Sequence, residues 1–388
     1  MIVSAPPPIP LRTPEPGDVP VPLPFDCTPT SVVMSTPAHT LLADGDDQQA
    51  PVTGPLTELP GQVAAALRRP GMVAAGLISF DAEHSRLVVC GAPRWSDPLL
   101  APYCFGCRHP AWRLKPDPEP AAYLAAVRQA QNMITAGRLR KVVLARSLLL
   151  EADRPLTVQE LLAHLPGPNA RYVYAAPTGE DGALIGASPE LLVSRHGRML
   201  STTPMAGSTR RSFDPTVDQA RALALQSSGK DLHEHRVVVD AVARALAPFC
   251  EHLYVPARPE LTATSTMWHL STPITGRLRD PGTCSLTLAA ALHPTPAVCG
   301  TPENLAREVI GALEPVERGF YAGLVGWQDA AGDGEWALAL RCGALSGDTL
   351  RLHAGAGIVA DSEAQAELAE TSAKLSTLLR ALRIHTDL

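Results

Sequence analysis

From about residue 119 to the C-terminus, β-rich runs and helical stretches follow one another without a regular strand–helix–strand rhythm, and hairpin signals are frequent. This texture limits the fold more than any other feature of the chain. Consecutive parallel strands need long crossovers, whereas hairpins build antiparallel sheets. The expected class is therefore α+β, with largely antiparallel sheets and helices, and not a doubly wound sheet. Residues 120–137 read as a helix with Gly137 as its stop signal. Residues 141–150 form an almost unbroken apolar run, as in a buried strand. Strands are expected at 171–177, 183–186 and 191–200, with His196-Gly197 as a hairpin turn. Residues 217–228, 232–247, 284–292 and 303–313 read as helices, and 254–278 as strand-like. Residues 321–325, 336–345 and 349–359 read as strands, and 362–382 as a closing helix.

The first 118 residues carry less information. Ten prolines fall within residues 1–30, which read as a solvated arm. Residues 31–118 show short β-like runs (72–80, 86–89) broken by Gly and Pro. They are expected to be the N-terminal part of the same fold as 119–388. A net charge of −6 with no basic block argues against nucleic acid as a partner. No apolar stretch is long enough to span a bilayer, and the N-terminus lacks a signal-peptide pattern, so a cytoplasmic protein is expected. Eight cysteines in 388 residues do not make a disulfide framework. Cys104 and Cys107 form a lone CxxC beside His109. Without a second pair at zinc spacing they read as ordinary thiols, with metal or redox use as the alternative.

Four lysines (Lys115, Lys141, Lys230, Lys374) stand against 29 arginines. Where Arg serves as the generic cation, a Lys marks a place that needs a compact, titratable ammonium. On the closing helix Glu367, Glu370 and Lys374 share one flank of the apolar stripe. Two carboxylates three residues apart repel, and a divalent ion would reverse that sign. The bland alternative is a Glu370–Lys374 surface pair. Asp231 and Glu234 have the spacing of a capping box, and Glu234 is otherwise a carboxylate metal ligand near a helix start. His233 and His235 point apart on a helix and are no zinc pair. Lys141 either snorkels at a strand end or sits in an apolar cleft, where desolvation would suit it to act as a base. Glu190 either belongs to a turn or is buried, where its raised pKa would suit a general acid. Gly355-Ala356-Gly357-Ile358-Val359-Ala360 matches a dinucleotide fingerprint, but too few residues follow for a βαβ unit. An anion nest for a small carboxylate fits it better. The loop around Gly207 and Ser208 could bind a carboxylate in the same way.

Together these segments resemble the chorismate-utilising enzymes, and most closely the siderophore-type isochorismate synthases. The likeness is carried by Lys141-Val-Val-Leu-Ala-Arg146, Gly186-Ala-Ser-Pro-Glu-Leu-Leu192, Pro204-Met-Ala-Gly-Ser208 and Lys230-Asp-Leu-His-Glu-His235. It continues through Trp268-His-Leu-Ser-Thr272, the run from Leu292 to Gly300, Glu317-Arg-Gly-Phe-Tyr-Ala-Gly323, Leu340-Arg-Cys342, Ala354-Gly-Ala-Gly-Ile-Val359 and Glu370 to Thr377. It covers residues 119–384. The resemblance implies two layered sheets with helices outside, a cleft between the layers, chorismate as substrate and Mg²⁺ as metal. It implies Glu234 and Glu370 as metal ligands with Glu367 close by, Lys141 as the base that activates water for C2, and Glu190 as the acid for the C4 hydroxyl. Arg341 and Tyr321 would hold the enolpyruvyl carboxylate. Gly207, Ser208, Gly355, Gly357 and Lys374 would complete the anion and metal surroundings. His269 and Ala297 would lie near the ring.

The same likeness separates the subgroups. Anthranilate synthases lack the lysine base, so Lys141 argues against them. Aminodeoxychorismate synthases carry a lysine where this chain has Ala206. Salicylate synthases tend to have Thr in the segment that reads Pro296-Ala297-Val298 here, although Tyr321 also suits them. Gly229 and Gln328 depart from the pattern without evident consequence. No glutaminase-like Cys/His/Glu unit is evident, so ammonia delivery in cis is not supported, and no glutaminase subunit is expected. The resemblance implies a monomer, as is usual for this subgroup.

Overall fold

The computed structural model describes residues 25–45, 50–100, 110–167, 170–179, 182–384 and 386. Most of the proline-rich arm and the Cys104/Cys107 pair lie outside the described residues. Three sheets are present among these residues, and every paired strand is antiparallel to its neighbour. The largest has ten strands. Its main path runs Gly300–Thr301, Lys141–Ala152, Thr349–Ile358, Cys342–Ser346, Gly182–Ser188, Tyr172–Gly179, Val32–Ser35, Thr40–Ala43 and Arg94–Ser96. Trp112–Asp117 is the tenth strand and also pairs with the Lys141 strand. The second sheet has eight strands, in the order Cys250–Tyr254, Ile274–Leu278, Met199–Thr202, Leu191–His196, Gly334–Leu338, Leu324–Asp329, Val73–Ile78 and Ser85–Cys90. Strands from residues 31–118 are thus woven into both large sheets. The hairpin signals that argued for antiparallel pairing are realised, including the turn at His196-Gly197.

The largest apolar cluster takes Met34 and Tyr174 from the ten-stranded sheet and Leu77, Val325 and Trp336 from the eight-stranded one, with helical residues such as Tyr123, Val238 and Leu288. A second cluster joins Leu148, Ile185 and Leu352 of the ten-stranded sheet to Leu161, Leu162, Leu375 and Leu379. The latter pair lies on the closing helix Ala364–Ala381, whose buried residues recur at helical spacing. The 12-residue Lys141 strand is buried along most of its length, with Val142 and Leu144 in the first cluster and Leu148 and Leu150 in the second.

Some details differ from expectation. Residues 254–278 are not one strand-like stretch but parts of several strands. Two of these, Glu260–Ala263 and Met267–Ser271, form a small third sheet with Met205–Arg210. A helix, Leu59–Ala66, lies where only β-like runs were read. Pro60-Gly61 looks like a turn, yet Pro fits the first helical turn, whose N–H groups are unpaired anyway. The expected strand 336–345 is two strands in different sheets, parted where Arg341 adopts φ +48°. Tyr321 precedes its strand, in a turn where Ala322 has φ +60°. No helix among the described residues is long and apolar enough to cross a membrane.

Candidate active site

The chain passes from the ten-stranded to the eight-stranded sheet at Ser188-Pro189-Glu190, and back again at Ala339-Leu340-Arg341. The two crossings lie side by side: Leu338 N donates to Glu190 O at 3.1 Å and Ala187 N donates to Arg341 O at 3.1 Å. Strands diverge there, so a cavity opens. Its walls come from both crossings, the Lys141 and Gly357 strands, the Gly207 strand of the small sheet, and the helices Gly229–Leu246 and Ala364–Ala381. Its volume, as room for the centres of water-sized spheres, is about 60 Å³. The walls include strands of the ten-stranded sheet and both crossings into the eight-stranded one, as expected of a cleft between the two sheets.

Twelve of the fourteen expected site residues line this cavity: Glu190, Gly207, Ser208, Glu234, His269, Ala297, Tyr321, Arg341, Gly355, Gly357, Glu370 and Lys374. Lys141 reaches it through Glu234, its Nζ standing 2.8 Å from Glu234 Oε1 as an ion pair without hydrogen-bond geometry. Glu367 stands back from the cavity, buried against Lys230 Nζ at 2.9 Å. Sequence reasoning missed the apolar lining residues Val143, Met205 and Leu340, which carry no chemical signature.

Glu234 faces inward because of how its helix begins. The helix starts at Gly229 with Ser228 as its cap, Ser228 Oγ accepting from Asp231 N at 3.3 Å. The expected Asp231 capping box is therefore absent, and Glu234 sits in the second turn, free of any capping duty. The adjacent His235 pins the helix, its ring nitrogens 3.2 Å from Ala206 O and 2.7 Å from Thr272 Oγ1. Burial pushes His235 down to about 4, so this brace carries no charge near neutral pH.

The Gly355–Gly357 segment is not a nest. Both residues lie inside the regular strand Thr349–Ile358, paired with Ala145 and Val143, whereas a nest needs successive residues of opposite helical hand. These glycines make room instead. A Cβ on Gly357 would stand 2.4 Å from Glu234 Oε1 and 3.0 Å from Lys141 Cε. Gly207 does adopt a left-handed φ of +77°, and a Cβ there would meet Asp231.

Charge in the cavity is arranged in two ways. Glu370 pairs with Lys374 at 2.6 Å and accepts from Ser208 Oγ at 2.9 Å. Lys374 Nζ also donates to Gly355 O at 2.9 Å. The i,i+4 pair foreseen for a surface is thus real but lies inside the cavity. Burial raises the Glu370 carboxyl, but Lys374 and Ser208 outweigh it and the net direction is down. Among the described residues Glu190 has no ion pair and its carboxylate accepts only from Met205 N, at 3.2 Å. Burial lifts it to about 7, against the pull of that bond and of Lys141, Arg341 and Lys374. His269 is held well below its usual range by burial and by Arg341 and Lys374, and its Nε2 has no hydrogen-bond partner among the described residues.

Three of the four lysines each neutralise one of the three glutamates expected at a metal. Among the described residues no three acidic, His or Cys side chains converge on one point. The donor chemistry still fits a hard divalent ion: Glu234 and Glu370 offer carboxylate oxygens to the cavity, and Gly357 leaves the space Glu234 occupies.

A family of chorismate binding enzymes matches residues 107–383. The chain belongs to the chorismate-binding enzymes. Isochorismate synthase DhbC of Bacillus subtilis (strain 168) is 47% identical over 377 residues, covering 92% of this chain and 94% of that protein. The vibriobactin-specific isochorismate synthase of Vibrio cholerae serotype O1 is 43% identical over 276 residues, covering 71% and 70%. Among solved structures, DhbC of Bacillus anthracis, assigned as a 2,3-dihydroxybenzoate-specific isochorismate synthase, superposes with a TM-score of 0.87 at 43% identity. That alignment covers 93% of this chain and 98% of the other. Chorismate is an anion, and Arg341 puts a guanidinium on the cavity wall of a chain whose net charge is negative, while Lys374 and Lys141 stand in ion pairs with Glu370 and Glu234.

Proposed function

We propose that this chain is an isochorismate synthase that adds water at C2 of chorismate and expels the C4 hydroxyl. The observation that carries this reading is the pairing, about one cavity, of a buried lysine with a carboxyl that stays protonated up to about pH 7. Acting as the amine, Lys141 Nζ accepts a proton from the water as its oxygen bonds to C2. The ring double bonds shift, the C4–O bond breaks, and Glu190 donates its proton so that the hydroxyl leaves as water. Lys141 returns its proton and Glu190 regains one, so the net change moves a hydroxyl from C4 to C2. Burial keeps the proton on Glu190, as a general acid requires.

Arg341 and Tyr321 hold the carboxylate of the enolpyruvyl arm, and His269 stays neutral near the ring. Gly207 and Ser208 complete the anion surroundings. Glu234 and Glu370 are the residues that would hold Mg²⁺, with Glu367 behind them. When bound, the ion would hold the ring carboxylate and offset its charge. Because water is the nucleophile, no glutaminase subunit is needed, and we propose a cytoplasmic monomer. The names of two relatives point to vibriobactin and 2,3-dihydroxybenzoate, and we extend them to this chain as supply of isochorismate for siderophore assembly.

The test is product analysis by chromatography after incubation with chorismate and Mg²⁺. Isochorismate without pyruvate is expected. Stoichiometric pyruvate and salicylate would replace this reading with a salicylate synthase, and binding without turnover at any pH would replace it with a silent relative.

A further inference from the structure

Four side chains stack into a column beside the cavity. The Arg318 guanidinium carbon lies 4.3 Å from the centroid of Phe80 and 6.0 Å from that of Tyr321. The Tyr321 ring also stacks on His353, nearly parallel at 13° with centroids 5.0 Å apart. Tyr321 lines the cavity, whereas Arg318, His353 and Phe80 do not. We propose that Arg318 and His353 are positioning residues that fix the Tyr321 hydroxyl against the bound substrate.

Arg318 cannot swing away from the ring it supports. It is buried, and four of its five N–H donors are engaged: Nε donates to Glu314 Oε2 at 2.8 Å, Nη1 to Val298 O at 2.7 Å, and Nη2 to Val143 O at 2.8 Å and Glu314 Oε1 at 2.5 Å. Two of those carbonyls belong to cavity walls. Glu314 is tied in turn to the Lys141 strand by Ala145 N at 2.7 Å. Tyr321 N donates to Arg318 O at 2.9 Å, so the backbone of the tyrosine is bound to the same residue.

His353 reaches the column from the ten-stranded sheet. His353, Gly355 and Gly357 alternate along one strand and so share one face. His353 presents a ring to that face, and Gly355 leaves space for the hydroxyl. A Cβ on Gly355 would stand 3.2 Å from Tyr321 Oη. Burial, with Arg351 and Arg318 nearby, pushes His353 down to about 3, so its ring is neutral at working pH. A phenol stacked in this way can flip only about the axis that carries its own oxygen, which leaves the hydroxyl in place.

This inference takes the ligand from the reading above, and its test separates the two. KM and kcat for chorismate are measured for the parent, Tyr321→Phe, His353→Leu, the double variant and His353→Phe. Loss of the hydroxyl is expected to raise KM about tenfold with kcat within about twofold, the size of one hydrogen bond to a charged group. His353→Leu should raise KM about three- to tenfold in the parent and add almost nothing in the Tyr321→Phe background, while His353→Phe restores the parent value. Additive effects in the double variant, or a fall in kcat alone, would overturn the column and leave the Tyr321 reading intact. An unchanged KM in Tyr321→Phe would remove both. If melting curves show that His353→Leu does not fold, Arg318→Lys takes its place in the same cycle, because Lys keeps the charge and loses the fork.

Discussion

Glu190 and Glu370 face one cavity, and their environments push them in opposite directions. Glu370 has an ammonium at 2.6 Å and a hydroxyl donor at 2.9 Å, and these overcome the cost of its burial. Among the described residues Glu190 has one backbone N–H at 3.2 Å and no paired cation, so burial prevails and its carboxyl titrates at about 7. The chemistry of the side chain is the same on both walls. Placement alone makes one wall a permanent anion, suited to hold cations, and the other a neutral acid, suited to give a proton.

The anionic wall offers the largest test of that contrast. If Glu234 and Glu370 hold the metal, Glu234→Gln or Glu370→Gln should abolish turnover, leaving less than about a thousandth of the parent rate, with circular dichroism and melting unchanged. Full turnover by either variant would end the assignment of that wall to a cation.

On the neutral wall, Glu190→Gln should lower kcat by about two to four orders of magnitude, the range of a lost general acid. In the parent, activity should fall as pH rises through about 7, where Glu190 loses its proton, and the residual activity of the variant should lack that limb. The same variant has a signature in stability. Between about pH 4.5 and 7 the unfolded chain has released this proton while the folded chain keeps it. The contribution of Glu190 is therefore complete below about pH 4.5 and is lost as pH rises to about 7. Above that, the parent carries a buried, poorly compensated charge, and Gln should be more stable by up to about 3 kcal/mol at pH 8, with the gap closing towards pH 5. Denaturant titrations at both pH values measure this, and a gap independent of pH would show that Glu190 is not held neutral by its surroundings.

These two walls were not equally legible in the sequence. Glu367, Glu370 and Lys374 lie on a helix, where a fixed period places side chains on one flank, so their proximity could be read from spacing alone. Glu190 and Arg341 lie where the chain changes sheets, and nothing in the local pattern marks such a crossing. Residues 336–345 read as a single strand because apolar residues continue through the break at Arg341. The family likeness, not periodicity, brought those two residues to the site. The partners of the lysines were hidden for a related reason: Lys141–Glu234 and Lys230–Glu367 are 93 and 137 positions apart in the chain, so no local rule pairs them. The Phe80–Arg318–Tyr321–His353 column joins three distant segments and has no motif of its own. The antiparallel class was legible because hairpin turns are local. The small third sheet was not, since its strands are short and only partly apolar.

The smallest effect sharpens the contrast further. Ser208 Oγ is the hydroxyl that separates the surroundings of Glu370 from those of Glu190, which receives no side-chain donor among the described residues. In Ser208→Ala the ion pair with Lys374 remains and the carboxyl moves up towards its ordinary range. The carboxylate stays ionised near neutral pH but loses the bond that orients it, so divalent affinity should weaken by about tenfold, the worth of one charge-assisted bond. Calorimetric titration of the variant with Mg²⁺ at pH 6 and pH 8 reads this directly. The loss should be equal at the two pH values, because a carboxyl at or below its ordinary range is ionised at both. A greater loss at pH 6 would mean that Ser208 also keeps a proton off the carboxylate. No loss at either would mean that Lys374 alone sets the difference between the two walls.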